Sequence, residues 1–125
     1  MKKFFTIIAT VLALSSFTNS VGINDVVNAI KSGNAASVSK YFDNTVEITI
    51  NSKSTNYSKA QAEVVLRDFF ANNTVKSFSV LHQGESGGSE FCIGTLSTSN
   101  GIYRTTLNLK HKGDKQTLQE IKFEK

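Results

Sequence analysis

The stretch Tyr57-Ser58-Lys59-Ala60-Gln61-Ala62-Glu63-Val64-Val65-Leu66-Arg67-Asp68-Phe69-Phe70 decides the architecture. Ser58 and Gln61 match the S-x-x-Q capping box, in which each side chain satisfies a backbone N–H that a helix start leaves unpaired. Ala62, Val65, Leu66, Phe69 and Phe70 then fall at i, i+3, i+4, i+7 and i+8. That spacing predicts a long helix with one apolar face wide enough to cover a sheet. Asn72-Asn73 ends it.

After Val75 the period changes to that of strands. The runs Lys76–Gln83, Glu90–Thr98, Ile102–Lys112 and Thr117–Glu124 are separated by Gly84 to Gly88, by Ser99-Asn100-Gly101 and by Gly113-Asp114. Asn100-Gly101 and Gly113-Asp114 supply residues that tolerate positive φ, so both read as hairpin turns. Four strands joined this way make an antiparallel meander. Leu118, Ile121 and Phe123 do not share one parity, which predicts a bulge in the last strand.

Before the long helix the chain reads as two short helices and a strand. Ile23 to Ser32 carries the apolar stripe Val26, Val27 and Ile30, with Asn24 as N-cap, Asp25 in the first turn and Gly33 as the stop. Asn34 caps a second helix whose face is Ala35, Val38, Tyr41 and Phe42, ended by Asp43-Asn44. Val46, Ile48 and Ile50 alternate with polar residues as a half-buried strand. Asn51 to Asn56 is polar and turn-like. The order α-α-β-α-β-β-β-β, with no repeats and no linker, predicts one α+β domain with helices packed on one face of an antiparallel sheet.

This order resembles the nuclear transport factor 2-like superfamily, a cystatin-like cone in which a curved sheet wraps a long helix around an internal cavity. The chain is also similar to a family of small exported proteins of unknown function from Gram-negative bacteria. The segments that carry the likeness are Tyr57 to Ala62, Val65 to Phe70, His82-Gln83-Gly84-Glu85-Ser86, Ile93-Gly94-Thr95-Leu96 and Gly101-Ile102-Tyr103-Arg104. The superfamily includes isomerases, dehydratases and non-catalytic binding domains, so the resemblance implies a fold and leaves the chemistry open. It also implies that a homodimer is one available arrangement.

The N-terminus carries an address. Met1-Lys2-Lys3 is followed by an apolar run from Phe4 to Leu14 and a polar close ending at Ser20. Thr18 and Ser20 suit the −3 and −1 positions of a cut before Val21. A membrane span needs about 20 apolar residues, and this run is much shorter. The expectation is a signal peptide over 1–20 and a mature domain over 21–125, exported to the periplasm or the medium.

Losing Lys2 and Lys3 from the 14 basic residues leaves 12 against 10 acidic ones, a net charge of +2. The basic residues are scattered, without the clustered stripe that phosphate backbones require, so no nucleic-acid partner is expected. Cys92 is the only cysteine. It can form no internal disulfide, and its strand setting reads as a small buried hydrophobe.

Catalytic members of the superfamily place acid–base residues in the cavity. The candidates are Tyr41, Asp43, Tyr57, His82, Tyr103, Arg104 and His111. His82 shares strand parity with Phe78 and Val80, which would aim it into the cone as a base or ligand contact. Tyr103 alternates in phase with Leu107 and Leu109, making it core-facing with a polar tip and placing Arg104 on the other side. Tyr41 is a third cavity candidate. No acidic residue on the face of His82 is identifiable to orient it. No C-x-x-C or H-E-x-x-H spacing occurs, so neither metal nor cofactor is expected. The readings, in order, are a non-catalytic module for a small ligand or a protein partner, a cavity enzyme using His82 and Tyr103, and a structural part of an envelope assembly.

Overall fold

The computed structural model describes residues 22–125. The expected signal peptide and cleavage point lie outside the described residues. Helix α1 (Ile23–Ser32) is capped two residues earlier than Asn24 would place it: Gly22 is the N-cap, and the Asp25 carboxylate accepts its N–H at 3.0 Å. Val26, Val27 and Ile30 are buried as the periodicity requires. Gly33 stops the helix in the left-handed region at φ 66°, where a side chain is strained.

Helix α2 (Ala35–Ser39) starts where Asn34 Oδ1 accepts from the N–H groups of Ala36 and Ser37. It ends sooner than the spacing of Tyr41 and Phe42 suggests. Phe42 instead opens strand β1 (Phe42–Ile50), opposite Leu118, and the Leu118 N–H donates to Tyr41 O at 2.6 Å. Pairing with a distant strand has overridden the local helical period.

The polar segment expected to be a turn is a strand, β2 (Lys53–Ser58), antiparallel to β1. Asn51 and Ser52, at φ 46° and 76°, make the tight connection. Helix α3 (Lys59–Asn72) follows with the capping box in place, and Ala62, Leu66, Phe69 and Phe70 are buried on its inner face. Strands β3 (Val75–Ser86), β4 (Ser89–Thr98), β5 (Gly101–Lys112) and β6 (Lys115–Glu124) form the expected meander. The first turn is tighter than the sequence suggested, because β3 runs on to Ser86 and Gly87-Gly88 alone reverse the chain.

The sheet order is β2-β1-β6-β5-β4-β3. Strand β6 lies in its middle, parallel to β1 and antiparallel to β5. Its expected bulge is present: Asn108 faces Glu120 and Leu109 faces Leu118, so Gln119 is the extra residue. That one insertion lets both Leu118 and Ile121 point inward and be fully buried. Helix α3 packs on β1 and β2, α1 on β3 and β4, and α2 bridges the two helices. The architecture is an α+β cone with helices on one face of a curved, mostly antiparallel sheet. The expected order holds, with β2 added.

Candidate functional site

The interior of the cone is packed with buried apolar side chains, with an aromatic cluster among them. Phe69 from α3 stacks on Phe123 from β6, with ring centroids 4.1 Å apart. Tyr103 meets Phe69 edge-on at 5.2 Å and is 4 % exposed. Its hydroxyl donates to Asn73 Oδ1 at 2.9 Å, and Asn73 Nδ2 donates to Phe69 O at the end of α3. Lys125 Nζ lies 5.4 Å from the centre of the Tyr103 ring, within cation–π range. Tyr103 therefore faces the core as its parity indicated, and its polar tip is engaged by the protein.

His82 does not join it. The register slips between Val80 and His82, since Val80 faces Gly94 while His82 faces Ile93. Leu81 is the extra residue, and it reverses the parity on which the inward placement of His82 rested. The imidazole is exposed and lies 5.4 Å from the ring of Phe91. The Phe91, Ile93 and Thr95 row is opposite in parity to the buried Cys92, Gly94 and Leu96, so this is the outer face of the sheet.

The other candidates are dispersed. Arg104 is exposed on the outer face, across from Thr95. His111 is exposed at the end of β5, where its backbone N–H donates to Gly88 O. Asp43 at the start of β1 binds Lys112 Nζ at 3.1 Å, Gln119 Nε2 at 2.7 Å and the Asn44 N–H at 2.8 Å. Burial pushes its carboxyl up, but those three donors together outweigh burial and hold it below the ordinary aspartate value of 3.8. Cys92 is fully buried, and burial pushes its thiol up.

Among the described residues, recesses open at three places on the surface. A mostly apolar one of about 430 Å³ is lined by Tyr57, Ala60, Gln61, Val64 and Val65. A polar one of about 270 Å³ lies between Ile23, Gln83, Gly84, Glu85 and Glu90. The third, about 220 Å³, is the most enclosed. Lys40, Tyr41, Lys59, Lys115, Gln116 and Thr117 contribute to its wall. Tyr41 thus lines a recess, at the exterior and apart from both His82 and Tyr103. The lysines of that wall escaped the sequence reading because each one alone looks like a solvated surface residue. Among the described residues, no three His, Cys, Asp or Glu are grouped to hold a metal. No helix among them is long and apolar enough to cross a membrane.

Residues 23–124 match the model of DUF4783, a domain of unknown function. The chain belongs to the DUF4783 family. A DUF4783 family protein from Bacteroides ovatus has a crystal structure with TM-score 0.81 and 33% identity, covering 86% of this chain and 97% of its own. One from Bacteroides uniformis gives TM-score 0.81 and 35% identity over 84% and 97%. An NTF2-like protein of unknown function from Cytophaga hutchinsonii shares 7% identity at TM-score 0.61, over 86% and 92%. That likeness shows the fold alone. No curated protein matches the chain. The DUF4783 domain therefore has the nuclear transport factor 2-like cone, in a family with Gram-negative members.

Proposed function

We propose that this DUF4783 protein is an exported, non-catalytic binding module that meets a small ligand or a protein partner through its exterior. The observation that carries this reading is the filled cone. Acid–base chemistry in a cavity needs its groups gathered around a dry space beside the substrate. Here Phe69, Phe123 and Tyr103 occupy that space, and the Tyr103 hydroxyl is taken up by Asn73. His82 and Tyr41 lie outside it, on separate parts of the surface. Export rests on the N-terminal sequence pattern.

The test is native mass spectrometry of the protein purified after export from its own host, paired with crosslinking in intact cells. A small molecule at unit stoichiometry, or a stable crosslinked partner, is expected. A chain that carries neither would overturn the reading, and turnover of a small substrate lost on His82→Ala would put an enzyme in its place.

A further inference from the structure

We infer that the recess between α2, α3 and β6 binds a small organic anion, one carrying a phosphate, sulfate or carboxylate close to a hydroxyl. The inference deepens the binding-module reading and rests on it. Three lysines line this wall from separate elements: Lys40 at the end of α2, Lys59 at the start of α3 and Lys115 at the start of β6, all three exposed. The ion pairs found among the described residues are Arg67 with Glu63 and Lys112 with Asp43, so none of the three has an acidic partner there. Like charges brought together without a counter-charge repel.

The start of α3 adds to the positive field. A helix N-terminus carries a partial positive charge and ordinarily takes acidic residues in its first turn. Helix α3 has none there and begins with Lys59. An anion seated beside Lys59 would meet the dipole and lie within a recess that all three lysines line.

A second observation points to a hydroxyl. Gln116 lines the same recess, and its Oε1 is shielded from solvent with no hydrogen-bond donor among the described residues. Such an atom needs a donor, and a turn of the Gln116 amide toward the recess would let a ligand hydroxyl, which a bare anion lacks, provide it. At about 220 Å³, the recess is below the range of about 300–1,000 Å³ typical of drug-sized ligands. It suits a headgroup-sized molecule, with Tyr41 and Phe42 offering carbon surface to its skeleton. Three lysines around one recess do not make the stripe that a nucleic-acid backbone needs.

The experiment titrates the ¹⁵N-labelled, host-exported protein with inorganic phosphate and with a hexose 6-phosphate, against sodium chloride at matched ionic strength and the neutral hexose. Saturable shifts at Tyr41, Lys59, Gln116 and Thr117 are expected, with the hexose phosphate at least several-fold tighter than phosphate. The triple variant Lys40→Gln, Lys59→Gln, Lys115→Gln should bind at least tenfold more weakly, with a thermal midpoint no lower than that of the wild type. Gln116→Leu should remove the advantage of the hexose phosphate and spare phosphate itself. Shifts no larger than those from chloride, or shared equally by Lys76 and Lys110, would overturn the inference. If the titration fails while native mass spectrometry still finds a ligand or partner, only the anion site is lost; failure of both removes the module reading as well.

Discussion

The phenol of Tyr103 and the amide of Asn73 are joined by a buried 2.9 Å hydrogen bond that ties β5 to the end of α3. Asn73 spends its other end on Phe69 O, the last turn of the helix. A residue that sequence parity turns inward with a polar tip is, in the folded chain, the clasp between a strand and the helix it covers. Tyr103→Phe keeps the ring and strands the Asn73 carbonyl. Equilibrium denaturation should show a loss of about 1–3 kcal/mol, with ligand or partner binding unchanged.

Gly94 sits under the ring of Phe78. A Cβ there would lie 2.6 Å from Ser79 O and 2.7 Å from Phe78 Cε1, so neither the backbone nor the ring can be avoided. Gly94→Ala should cost about 1–3 kcal/mol by overpacking, read as a lower denaturation midpoint. Gly94→Ala combined with Phe78→Leu should recover part of that loss, because the two changes share one contact.

Asp43 gives the fold a defined acid sensitivity. Its carboxyl has a lower pKa folded than unfolded, so the native state favours the charged form. The stabilisation is fully present above the ordinary value of 3.8 and is lost as pH falls through the folded value. Thermal midpoints of the wild type and Asp43→Asn should differ most at neutral pH and converge in strong acid. A constant gap across that range would count against the ion pair with Lys112.

Cys92 should be inert while the chain is folded. Burial disfavours its thiolate, which is the reactive form. A thiol reagent added to native protein should label it at the rate of global opening, and at once in denaturant. Fast native labelling would contradict its placement between the sheet and the helices.

The long helix was legible because two independent signals coincide on it: the Ser58–Gln61 box and the spacing from Ala62 to Phe70. Strand β2 was not legible. It is an edge strand whose residues are nearly all exposed, held chiefly by backbone pairing with β1, and that leaves no alternation to read. The inward placement of His82 failed for a related reason. Leu81 follows another apolar residue on the other edge strand, and nothing in the sequence marks which of the two is the extra one. The lysine recess depends on positions 40, 59 and 115, which only the fold brings together. The one local hint was a capped helix start carrying Lys59 and no acid.

The place of β6 has a consequence for how the sheet comes apart. Lys115–Glu124 form the strand that joins the β1–β2 hairpin to the β3–β5 ladder. Without β6 those two ladders share no strand, and each is left with an open edge that invites pairing with another chain. Loosening this one strand therefore splits the sheet at its centre and turns a single cone into two sticky halves.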